Sequence, residues 1–101
     1  MTPLQISTSR VQDLLQHADQ ALTSDSPFAL RCTSLWLLSG VFVTQAASEV
    51  GQLPDDPAEC IRLASKEVES WDFDQLHPKA VDFAYDLTDL ARSMRLAAAQ
   101  A

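Results

Sequence analysis

Glycine, cysteine and basic side chains are all scarce in this chain, and each shortage closes off a class of protein. Two glycines in 101 residues leave no glycine-rich loop of the kind that cradles nucleotide phosphates. Cys32 and Cys60, the two cysteines, are too few for a disulfide framework. Seven Lys and Arg stand against 14 Asp and Glu, a net charge of -7. Nucleic-acid affinity comes from cations displacing counterions at phosphates, so a general nucleic-acid binder is not expected. Residues 1–10 lack a basic start followed by an apolar run, so no secretory signal is read there. No run of alternating β-branched residues appears, which removes the usual sign of strands. Catalytic, metal and cofactor motifs are also missing, and none of these functions is expected.

What remains is a chain with 47% hydrophobic residues, enough for one domain over 1–101 to bury a modest core without staples. The expected fold is all-α, an antiparallel four-helix bundle with helices near 9–23, 27–50, 57–71 and 78–96. Residues 1–8 and 97–101 are expected to fray.

The first helix is expected to start after Ser9, because Ser9 and Gln12 have the form of a capping box. Val11, Leu14, Leu15, Ala18 and Leu22 then form one apolar stripe. Thr2-Pro3 with Gln5 is an alternative start, disfavoured by the poor helix propensity of Ser7-Thr8-Ser9. Ser26-Pro27 caps and opens the second helix. No charge lies between Arg31 and Glu49, and Leu35, Trp36, Leu37, Leu38, Val41, Phe42 and Val43 go most of the way round it. Six Ser, Thr and Gln residues within this stretch and the missing basic flank argue against a membrane span. A helix buried on most sides is the better reading, with Ser39-Gly40 marking a kink or close crossing.

Asp56-Pro57-Ala58-Glu59 combines a cap, a first-position proline and a box-closing glutamate. The third helix turns Ile61, Ala64, Val68 and Trp71 inward and a mixed charged face outward, with Glu59, Arg62, Lys66, Glu67 and Glu69. His77 precedes Pro78, which starts the fourth helix. Arg92 and Arg95 sit near that helix's end, where positive charge suits the dipole. If helices two and three are antiparallel neighbours, Cys32 and Cys60 lie roughly 30 Å apart, given 1.5 Å per residue. Both thiols are then reduced, as in a cytoplasmic protein.

Three constellations bear on function. Arg10, Asp13 and His17 share one face of helix one, an acid-base arrangement in form and an ordinary solvated face in the simpler reading. Asp82, Asp86 and Asp89 make an acidic column on helix four, which suits a basic protein partner better than a metal. Trp36 and Phe42 complete the candidate partner-binding set, because aromatics beside a charged patch suit interfaces. Trp36, Trp71 and Tyr85 otherwise read as core anchors.

The leading amphipathic helix, the turn at Ser24 to Pro27 and the apolar second helix resemble the HEPN superfamily of small helical bundles over the first fifty residues. Its ribonucleases carry an Arg and, a few residues on, a His on a late helix. Here Arg92 and Arg95 have no histidine after them, so the resemblance implies a non-catalytic, dimeric member.

The expected function is a non-catalytic protein-interaction domain, self-associating as a homodimer through helix two. An acidic inhibitor, immunity or antitoxin-like protein that binds a basic partner is the first alternative. A HEPN-like protein acting on RNA through Arg10, Asp13 and His17 is the second.

Overall fold

A computed structural model describes residues 3–43 and 53–100. Among the described residues there are four α-helices: α1 (Pro3–Ala21), α2 (Ala29–Ser39), α3 (Pro57–Val68) and α4 (Lys79–Gln100). A single 3₁₀ turn, Phe73–Gln75, lies between α3 and α4. No strand occurs among the described residues, and no helix there is long and apolar enough to cross a membrane.

α1 begins at Pro3 rather than after Ser9. Proline suits a helix's first position because its missing amide would go unpaired there. Ser7, Thr8 and Ser9, the run whose propensity argued against an early start, are buried inside the helix. The Trp71 indole Nε1 donates to Ser7 Oγ at 2.8 Å, and that hydroxyl donates on to Glu67 Oε1 at 3.2 Å. Thr8 Oγ1 donates to the Gln5 carbonyl at 3.0 Å. Hydroxyls usually weaken a helix by competing for its own backbone. A buried partner for Ser7 reverses that balance.

α2 is much shorter than the expected 27–50. Pro27 and Phe28 belong to a turn in which Ser26 Oγ accepts from the Phe28 amide at 3.2 Å. The helix closes at Ser39, and the amides of Gly40, Val41 and Phe42 bond three residues back instead of four. This tighter winding is a common way to satisfy the last carbonyls of a helix. It turns Phe42 into the core, where it is 3% exposed. The expected continuation through 44–50 lies outside the described residues. Gly40 keeps ordinary right-handed helical angles, and an added Cβ would meet Leu37 O at 3.4 Å and Gln12 Nε2 at 3.5 Å, both ordinary contacts.

The other two starts are held locally. Asp56 caps α3 by accepting from the Ala58 amide at 3.2 Å, with Pro57 next. Glu59 does not reach back to close the box; it pairs with Arg62 at 3.0 Å to Nε. His77 Nδ1 accepts from the Lys79 amide at 3.1 Å, so this histidine caps α4. α3 ends at Val68, three residues short of the expected 71.

α1 packs against α2 and α3, and α4 packs against the same two. The contacts give the directions. Thr33 near the start of α2 bonds Asp19, while Gly40 just past its end lies beside Gln12, so α2 runs back along α1. Trp71 and Glu67 meet Ser7, so α3 also runs against α1. Arg31 meets Asp89 while Phe42 meets Phe83, setting α4 against α2, and α4 follows α3 as its hairpin partner. Every packed pair is therefore antiparallel, as a bundle of short-looped hairpins requires. α2 and α3, however, run the same way on a diagonal and are not the antiparallel neighbours expected from sequence. The inferred separation of Cys32 from Cys60 falls with that premise. The two thiols start their helices at the same end and are near enough to interact electrostatically.

The core runs from Cys32, Cys60, Leu15 and Ala18 at one end to an aromatic cluster at the other. Trp71 stacks on Phe83 at 5.9 Å, and Phe42 stands edge-on to both. Such pairs are worth about 0.5–1.5 kcal/mol beyond the area they bury.

Two substitutions test these assignments. Ser7→Ala leaves a buried indole N–H without an acceptor and should cost about 1–3 kcal/mol in urea unfolding; an unchanged midpoint would show that the bond contributes nothing. Gly40→Ala should be tolerated and raise stability by about 0.5 kcal/mol, because it restricts only the unfolded chain. A loss of stability would mean the contact with Gln12 is tighter than it looks.

Candidate interaction surfaces

Asp82, Asp86 and Asp89 are all exposed on α4, yet they are not equivalent. Asp89 accepts from Arg31 at 2.8 Å and from Arg92 at 3.1 Å. These two bonds, Arg92 first, hold its carboxyl below the ordinary carboxylate value. Asp82 and Asp86 have no such partner among the described residues. Because Arg31 belongs to α2, its bond also locates the column: the three acids border the groove between α4 and α2.

Across that border α2 turns apolar side chains outward. Leu30 is 83% exposed, Leu37 66%, and Val41, in the turn just beyond, 52%. Spacings of seven and four residues put all three on one face. The core side of α2 is held by Cys32, Leu35 and Ser39, with Trp36 and Leu38 half-buried at its edges. Of the two aromatics expected in a partner site, Trp36 lies at the margin of the core. Phe42 is removed from the surface altogether, enclosed by Trp71 and Phe83. Tyr85, read as a core anchor, is instead 73% exposed on α4.

Arg10, Asp13 and His17 are not assembled into a unit. Asp13 and His17 line a shallow hollow of about 210 Å³ with Gln16, Gln20 and Leu53, and Arg10 is exposed outside it. Burial pushes the Asp13 carboxyl up. No hydrogen bond or ion pair joins the three among the described residues. No group of three or more metal-ligating side chains occurs there either.

A larger groove, of about 610 Å³, opens between α3 and α4. Arg62 and Lys66 line it from α3 together with the carboxylates of Asp56, Glu59 and Glu69, and Arg92 and Arg95 line it from α4, with Ala91 and Met94 between. Four of the chain's seven cations thus meet three carboxylates in one place. Arg62 pairs with Glu59 and Arg92 with Asp89, each within its own helix. No ion pair crosses the groove, and Lys66 and Arg95 have none among the described residues. Sequence reading treated Arg62 and Lys66 as part of a solvated face and Arg92 and Arg95 as dipole complements. The available signal was the spacing of each pair, four and three residues, which places both members on one face; that the two faces meet depends on the packing.

Both thiols are buried and protonated. Burial, then Asp19, then Cys60 push Cys32 from an ordinary 9.0 up to about 12. Burial pushes Cys60 up too, with Asp56, Glu59 and Asp55 adding to it. Neither thiol has the lowered pKa of a nucleophile.

The chain matches no protein-family model, no curated protein and no solved structure.

The thiols generate a pH prediction. A thiol raised on folding stabilises the fold fully below the unfolded pKa, and that contribution is lost as pH climbs toward the folded value. Melting temperature should therefore fall from near pH 9 upward, and more gently in Cys32→Ala. Parallel curves for the two proteins would show that Cys32 is not the group responsible.

Proposed function

We propose that this chain is a non-catalytic protein-interaction domain that self-associates through the outward face of α2. The observation that carries this reading is the exposure of Leu30, Leu37 and Val41 on one side of one short helix. Large apolar side chains grouped on a surface cost solvation free energy, and another protein surface is the usual cover. The cytoplasm is the proposed setting, since both cysteines are free.

Asp82 and Asp86 favour a second reading, a basic foreign partner in place of a second copy. They share with Asp89 the face of α4 that meets Arg31 of α2, they are unpaired among the described residues, and the chain carries a net charge of -7. A partner with an apolar stripe and flanking Lys or Arg would satisfy both parts.

Sedimentation of the wild type and of the Leu30→Gln/Leu37→Gln variant separates these readings. Self-association should weaken at least tenfold in the variant, a loss of about 1.4 kcal/mol or more. Unchanged association would remove α2 from the contact. A wild type that stays monomeric, yet binds a basic amphipathic peptide in a salt-sensitive way, would favour the second reading.

A further inference from the structure

We infer that self-association is a two-fold contact in which α2 packs against α2 of a second copy, the two helices running in opposite directions. This inference rests on the self-association proposed above and specifies its direction and its residue pairs. Leu30, Ser34, Leu37 and Val41 are all exposed, at spacings of four, three and four residues. That is the spacing of a helical seam whose side chains interlock with a neighbour's. Laid against itself in reverse, the seam is its own complement: Leu30 meets Val41 of the second copy, and Leu37 meets the small Ser34. A parallel pairing sets Ser34 on Ser34 and leaves a void, whose lining loses its packing contacts.

Charge selects the same direction. Arg31 is the one charged residue of α2 and stands in its first turn. Its guanidinium and that of Arg92 share a single carboxylate, Asp89, so this cluster keeps one positive charge. α4 runs against α2 with Asp89 level with Arg31. Asp82, seven residues back, is therefore level with Leu38 near the other end of α2. Reversal brings the second copy's Asp82, unpaired among the described residues, to the end where Arg31 stands, and two-fold symmetry does so twice. Asp86, level with the middle of α2, is the acid of the column that the axis brings toward its own copy. A seam of three apolar side chains is small beside a stable interface, so the dimer is weak and forms with rising concentration.

Disulfide cross-linking tests the direction. Leu30→Cys and Val41→Cys, at roughly 100 μM, are oxidised with diamide, each alone and mixed in equal amounts. The mixture should give a covalent dimer, since positions 30 and 41 lie side by side. Each variant alone should give little, because its two cysteines stand roughly 16 Å apart along the pair at 1.5 Å per residue. Cys32 and Cys60 are buried, and the wild type is the control for them. Sedimentation velocity gives a second test, with helical content checked by circular dichroism. Ser34→Trp, which fills the place of the facing Leu37, should weaken association roughly tenfold or more. Asp82→Lys should weaken it as well, whereas Asp86→Asn should leave it equal or tighter.

Cross-linking of Leu30→Cys with itself and not with Val41→Cys would overturn the antiparallel direction and leave the α2 contact standing. Variants that associate yet cross-link in neither way would overturn the register. Association indifferent to Ser34→Trp would overturn the seam, and association indifferent to Asp82→Lys would overturn the charge placement. A monomeric wild type throughout would overturn both this inference and the self-association it rests on.

Discussion

The Trp71 indole has to be buried with its N–H satisfied, and all four helices take part in meeting that requirement. Trp71 follows α3, its N–H reaches Ser7 on α1, its ring stacks on Phe83 of α4, and Phe42, just past α2, stands against it. A buried donor without an acceptor costs about as much as several surface contacts return. The serine that answers it must therefore lie inside a helix, which extends α1 back to Pro3. Phe42 must turn inward, and the tight winding at 40–42 ends α2 to allow it.

An early end to α2 has a consequence at the surface. A short helix packed on one side by α1 and α4 leaves its far side open, and there Leu30 and Leu37 project. The same arrangement places α2 and α3 on a diagonal, each touching α1 and α4. α4 consequently has two different grooves. Its own residues toward α2 are Asp82, Asp86 and Asp89, and its own charged residues toward α3 are Arg92 and Arg95, which face a mixed set of Arg62, Lys66, Glu59 and Glu69. Residues of opposite charge are sorted onto two flanks of one helix. The net charge of the chain conceals this, because an average over the surface carries no direction.

Local chemistry was legible in the sequence. Asp56 was readable as a cap and serves the amide two residues on, whereas Ser26, read as the cap of helix two, serves only the turn before it. The inward stripes of α1 and α3 were readable because a helical period of 3.6 defines a face without reference to anything else. The acidic column was also correctly found on α4's exposed side. Sequence misled where a residue's state depends on a distant one. Ser7 looked like a poor helix residue because its partner is 64 positions away. Leu37 and Val41 looked buried because they are apolar, although exposure depends on which helices stand nearby.

By itself, then, the sequence determined the helical class, the local caps that begin α3 and α4, the turn before α2, and the faces that must be hidden. Those are short-range matters of backbone hydrogen bonding and periodicity. Tertiary structure alone decided that α2 and α3 run in the same direction on a diagonal, that the two thiols share one end, and that an apolar face of α2 reaches the surface. Many chain orders satisfy the same stripes, and the choice among them belongs to contacts such as Ser7 with Trp71 and Arg31 with Asp89, made between residues far apart in the chain.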